Sequence, residues 1–184
     1  MYRLNVPLFL FLFTLTTVQM EIVFAQSADS LQATHISRTD VETTLAEAPA
    51  DRVSDQAIRH VDAEHGYLGL GVLHRPVLAS GSPIRAIQHH KQSEMYYVLS
   101  GTGTLVTSLD IANSRPLDPN GNTVKLLTGP SSTGVIQEGG QRRLIQPGDI
   151  VIIPAGVAHG FSEITEPIQY LVFRIDPEKL VQLK

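Results

Sequence analysis

Two stretches of this sequence concentrate side chains able to do metal or acid–base chemistry. The first, residues 81–101, reads GSPIRAIQHHKQSEMYYVLSG, and the second, residues 148–162, reads GDIVIIPAGVAHGFS. Imidazole nitrogens and carboxylate oxygens are the usual ligands of zinc and first-row transition metals. The candidates are His89, His90 and Glu94 in the first stretch and His159 in the second. Residues two apart on a strand share a face. Adjacent His89 and His90 therefore point to opposite faces, and a regular strand offers only one of them. Tyr96 has the parity of Glu94 and is a candidate general acid or hydrogen-bond donor. The chain contains no Cys, which excludes thiol catalysis, disulfides and Cys-held clusters.

Together the two stretches resemble the paired signature motifs of the cupin superfamily. The second motif of that family runs Gly, five residues, Pro-x-Gly, two residues, His, three residues, Asn. Gly148, Pro154, Gly156 and His159 fit it, and Glu163 stands where the Asn is expected. The first motif runs Gly, five residues, His-x-His, three or four residues, Glu, six residues, Gly. Gly81, Glu94 and Gly101 fit, but one His of the pair is missing. Counted from Gly81, the His positions fall on Ile87 and His89; counted back from Glu94, they fall on Gln88 and His90. The first register is preferred because it keeps the full spacing from Gly81.

The resemblance covers roughly residues 57–176 and implies an all-β fold, a cupin-type double-stranded β-helix or jelly-roll barrel. It implies a divalent metal (Fe, Mn, Ni or Zn) held by His89 or His90 with Glu94 and His159. Such a two-His, one-carboxylate set leaves coordination positions open. The implied activity is oxygenase, isomerase or lyase chemistry on a small organic substrate. The alternative is a non-enzymatic module that binds a small, sugar-like ligand. A homodimer is also expected on resemblance.

The elements that must position these residues read as short strands. From Ala57 onward, β-rich runs alternate with Gly, Pro, Ser and Asn clusters, which predicts a sandwich or barrel. The domain is set at 57–184. Residues 111–141 interrupt the rhythm and read as an insertion on one barrel edge, with Thr123–Leu127 as a strand and Asn120-Gly121 as a turn. Gly101–Gly103 reads as a hairpin turn. Residues 26–56 are polar and read as an arm or linker, with a short helix over Val41–Ala48 capped by Thr39 or Asp40.

Residues 1–25 have the pattern of a secretory signal peptide. Arg3 supplies a positive start, an apolar run follows to Val18, and Val23-Phe24-Ala25 offers a cleavage site. The run is shorter than the ~20 residues needed to span a bilayer. The expected mature chain starts at Gln26, is secreted or periplasmic, and has no membrane segment. A net charge of -4 with pI near 5.9 argues against nucleic acid as a partner, because phosphate binding needs an excess of Lys and Arg. The expected partner is a small-molecule ligand or substrate. Without disulfides, an exported chain must be held by its core alone.

Overall fold

The computed structural model describes residues 32–81, 83–137 and 139–184; the signal-peptide expectation lies outside the described residues. Helix α1 spans Arg38–Ala46 and starts earlier than expected. Its cap is Ser37, whose hydroxyl accepts from the Asp40 amide while the Asp40 carboxylate accepts from the Ser37 amide. This reciprocal box satisfies two otherwise orphaned amides. The segment lies on the barrel, where Gln56 Nε2 donates to the Thr44 carbonyl at 3.1 Å.

Nine strands follow: β1 (Ser54–Asp62), β2 (Tyr67–Arg75), β3 (Ile84–His89), β4 (Ser93–Ser108), β5 (Ala112–Pro116), β6 (Ser131–Ile136), β7 (Gln141–Ile145), β8 (Ile150–Ile153) and β9 (Ala158–Asp176). All pairings are antiparallel. The long strands β4 and β9 pair along their whole lengths and bend through four register shifts between Val98 and Leu105. On one side of the bend the order is β1-β2-β9-β4-β8; on the other it is β5-β6-β3-β9-β4-β7. One pair of strands thus serves both walls of a jelly-roll barrel. Between the walls, Tyr96, Val98, Leu105, Ile153, Phe161, Ile168, Tyr170 and Val172 form the main core. Each aliphatic or Phe side chain buried this way contributes about 1.5–3 kcal/mol.

Three expectations are corrected. Gly101–Gly103 is no hairpin turn; the chain runs through it within β4. Gly101 adopts φ +75°, and a Cβ there would collide with the Pro167 carbonyl on β9. The two strands approach so closely only because the side chain is absent. Gly101→Ala is therefore expected to destabilise the fold by about 2–4 kcal/mol, from a left-handed backbone and a backbone clash combined. The urea midpoint measures it, and an unchanged midpoint would contradict this reading of the bend.

The other two corrections concern residues 111–141. Thr123–Leu127 is not a strand: Val124–Thr128 forms a π-helical turn. The segment also supplies β5 and β6, and β6 pairs along the whole of β3. The chain between residues 111 and 136 is a wall of the barrel, not an attachment to its edge. Local strand propensity was overridden here by the Asp118 turn, whose carboxylate accepts from the Asn120 amide at 2.9 Å and starts a helical path.

The outer face of β2, β9, β4 and β8 stays apolar and open. Leu68, Ile175, Tyr97, Ile150 and Ile152 are exposed on it, and the strand registers place them on one side of the sheet.

Candidate metal centre

Strand parity puts Arg85, Ile87 and His89 on the inner face of β3. The registers then bring distant residues together: Ile87 lies opposite His159, and Glu94 lies opposite Arg174. Close approach of β9 to β3 depends on Gly160, since a Cβ there would strike the Arg85 carbonyl.

The result is a buried cluster of His89, Glu94 and His159 whose ligand atoms all lie within 4.8 Å of one another. His89 Nε2 is 3.3 Å from Glu94 Oε1, and His159 Nε2 is 3.4 Å from Glu94 Oε2. His90 does not join them. It is exposed on the other face of β3, with Nε2 2.9 Å from Ser132 Oγ. Gln88 is also engaged elsewhere, donating to the Gly156 carbonyl. Of the two registers open in the sequence, the strand realises the one counted from Gly81, with Ile87 where the missing His would stand.

The far nitrogen of each imidazole fixes its tautomer. His159 Nδ1 is 3.2 Å from the Val157 carbonyl, which only accepts, so Nδ1 carries the proton. His89 Nδ1 is 2.9 Å from Ser131 Oγ, which also has the Gly129 and Thr128 carbonyls at 3.0 and 3.3 Å as acceptors for its single proton. Ser131 then accepts from His89 Nδ1–H. Nε2 is thus the ring atom that faces the carboxylate in both histidines. With a proton it donates to Glu94; in the neutral ring its lone pair meets the carboxylate, which is repulsive unless a cation lies between them.

The carboxylate itself is held from two sides. Arg174 Nε donates to Glu94 Oε1 at 2.7 Å, and the Tyr96 hydroxyl donates to Oε2 at 2.9 Å. Arg174 turns its other nitrogens to Asp55, at 2.6 and 3.2 Å. Burial alone would raise the Glu94 carboxyl, but Arg174 and the two histidines overrule it and hold it well below the usual range. Burial likewise would weaken the Arg174 cation, yet Asp55 and Glu94 push its pKa up. Burial, with Glu94 beside it, raises the Tyr96 phenol well above its ordinary value. Burial is also the main reason that the His89 pKa is lowered.

These residues fit a metal. Three donors at ~2.0–2.2 Å from one ion lie roughly 2.9–3.6 Å apart at tetrahedral or octahedral angles. The two His–carboxylate separations, 3.3 Å to Oε1 and 3.4 Å to Oε2, fall in that range, and one ligand atom from each residue lies within 4.8 Å of the others. Proton-bearing Nδ1 atoms bound to a carbonyl and a hydroxyl are the outer contacts that orient metal-ligating histidines. Each oxygen of Glu94 keeps a lone pair beyond its bond to Arg174 or Tyr96.

The cluster forms part of the wall of a cavity of about 820 Å³, within the range of small-molecule sites. Ile87, Val135 and Leu127 give it an apolar surface, and Arg85, Arg115 and Thr123 also line it. Strand β5 and the π-helical turn thus help to enclose the barrel mouth.

Sequence reasoning missed Asp55, Ser131 and the role of Arg174. Arg174 did leave a signal, because it has the parity of Val172 and Tyr170 on a buried strand. Asp55 left none, since it lay in the stretch read as an arm.

A family model described as the AraC-like ligand binding domain matches residues 133–183, which include the second motif and β9. Among solved structures, the DMSP lyase of Ruegeria pomeroyi is 20% identical over 71% of this chain and 51% of its own, with a TM-score of 0.42. This chain spans about half the length of that lyase. A cupin superfamily protein of Desulfitobacterium hafniense is 14% identical, with 71% and 83% covered and a TM-score of 0.38. A Sphingomonas hydroquinone 1,2-dioxygenase, solved with 4-hydroxybenzoate bound, is 15% identical, with 76% and 73% covered and a TM-score of 0.43. No curated protein matches the sequence.

Proposed function

We propose, from the cupin fold that this chain adopts, that it holds one divalent metal on His89, Glu94 and His159 and acts on a small organic molecule in the cavity above. The observation that carries the reading is the convergence of two imidazole Nε2 atoms on one buried carboxylate, at 3.3 and 3.4 Å. Bound there, a divalent ion supplies Lewis-acid polarisation of a substrate oxygen or a site for oxygen chemistry, which suits oxygenase, isomerase and lyase reactions alike. Fe, Mn, Ni and Zn all suit this donor set.

The chain's own residues prepare that site. Ser131 and the Val157 carbonyl fix the two tautomers. Arg174 and Tyr96 fix the carboxylate. Tyr96 keeps its proton at neutral pH and has its one donor committed to Glu94, so it acts as a positioning residue and not as the acid that reaches substrate. Ile87 in place of a second strand-borne His leaves an apolar side beside the cluster, where a substrate's carbon skeleton can lie.

A metal-free, ligand-binding module is the competing reading. It is favoured by the Arg174–Glu94 ion pair, which already gives the carboxylate a cation. Elemental analysis of the purified chain separates the two. The proposal expects about one Fe, Mn, Ni or Zn per chain; folded protein without metal, also after incubation with each ion, would overturn it.

Two further parts of the reading concern assembly and place. The open apolar face of β2, β9, β4 and β8 supports a second copy of the chain as its cover, giving a homodimer that sedimentation analysis would detect. The Arg3 start and the apolar run before Ala25 support export, with Gln26 as the mature N-terminus in a secreted or periplasmic product.

A further inference from the structure

The charges lining the cavity do not balance. The whole chain is acidic, with a formal net charge of -4. The cavity is the reverse. Among the described residues that line it are Arg75, Arg85, Arg115 and Arg174, with Asp55 and Glu94 as the carboxylates. Both of those carboxylates are bound to a single arginine, Arg174. Arg75 donates to the neutral Tyr170 hydroxyl and lies over the Phe161 ring, 5.2 Å from its centroid. Arg85 and Arg115 make no side-chain hydrogen bond or ion pair with any described residue.

Topology sets Arg85 and Arg115 over one floor. Arg85 on β3 lies opposite Val135 on β6, and Thr133 on β6 lies opposite both Ile87 and Arg115. Two strand spacings and two residues of offset separate the Cα atoms of Arg85 and Arg115 by about 12 Å. That is within the combined reach of two long side chains, and Ile87 and Val135 lie between them. Arg85 is four residues from His89, about 13 Å along the strand. An exposed arginine on a flat surface needs no partner. Arg85 and Arg115 are exposed, but both line the same concave, partly apolar space. Two guanidinium groups without a partner among the described residues attract an anion into it, because the cavity walls focus their field.

The geometry points to a small organic acid as the ligand of this cavity. Its carboxylate is held at the mouth by Arg85 and Arg115, its short apolar body lies over Ile87 and Val135, and its other end faces His89, Glu94 and His159. Which end reacts rests on the proposed function; the anion site rests on the arginines alone.

Butyrate, butyramide and inorganic phosphate are the probes, titrated by NMR into the full chain both metal-loaded and chelator-treated. Butyrate is expected to bind at least about tenfold more tightly than the isosteric amide, the worth of one or two charged hydrogen bonds, and to weaken as salt rises. Arg85→Gln with Arg115→Gln abolishes the preference. Arg142→Gln, which removes an exposed charge outside the cavity, keeps it. Since the Arg85 and Arg115 side chains bond to no described residue, the double variant keeps its melting temperature. Equal binding of acid and amide, survival of the preference in the double variant, or phosphate binding as tightly as butyrate would each overturn the proposal. Protein that takes no metal yet retains the arginine-dependent preference after chelation loses the metal reading alone. Protein that binds metal but shows no preference loses the organic acid alone.

Discussion

His159→Ala yields a folded chain that no longer retains a stoichiometric metal ion. Three protein donors converge in this barrel, and alanine removes one of the two neutral nitrogens. Loss of an outer contact to a metal ligand costs about 10–100-fold in affinity, so loss of the ligand itself is expected to exceed about 100-fold. Competition against a chromophoric chelator reads the affinity, and elemental analysis reads the occupancy. His90→Ala is the control. His90 is exposed and bonded to Ser132 on the opposite face, so its loss should leave both readouts unchanged. The fold should tolerate His159→Ala at a cost of about 2–4 kcal/mol, from a small cavity and an unpaired Val157 carbonyl, which circular dichroism and a melting curve check. An alanine variant that still carries a full equivalent of metal would refute the assignment. So would a wild-type chain whose metal depends on His90.

The contrast between His89 and His90 shows what the sequence could and could not decide. Alternation on a strand requires the two to face opposite ways, but it does not say which faces inward. The inward choice is set by the pairing of β3 with β9, in which Ile87 meets His159 and Ala86 meets Gly160. His159, Glu94 and their glycine and proline turns were legible because each motif is a local unit, fixed by a strand and the bend beside it. The buried ion-pair network was not. Asp55 and Arg174 are 119 residues apart in the chain, and no spacing rule joins them. The same limit explains the errors in residues 111–141. Glycines, prolines and an Asn-Gly pair mark turns correctly, but the use of β6 as a barrel wall depends on its ladder with β3. That ladder is a tertiary fact. Gly101 failed in the opposite way: it was read as a turn on local grounds, whereas its lack of a side chain serves the crossing of two long strands.

Arg174→Met should be among the most damaging single substitutions in this barrel, and its cost should depend on metal. The guanidinium is 4% exposed and bonds a carboxylate at each end, with Glu94 at 1% and Asp55 at 21% side-chain exposure. Methionine fills similar space, so the loss is chiefly electrostatic. It strands Glu94, buried without its counter-charge, while Asp55 can still reach water. Breaking a buried pair from one side typically costs about 3–5 kcal/mol, which for a domain of this size lowers the melting temperature on the order of 10 °C. In chelator-treated protein the full loss is expected. With a divalent ion on His89, Glu94 and His159, the carboxylate regains a cation and the loss should shrink. Adding Glu94→Gln to Arg174→Met in metal-free protein should also recover stability, because the stranded charge is gone. Adding Asp55→Asn should recover less, since that carboxylate is partly hydrated already. If Arg174→Met costs the same with and without metal, the ion and the arginine are not coupled, and the ion does not sit on Glu94.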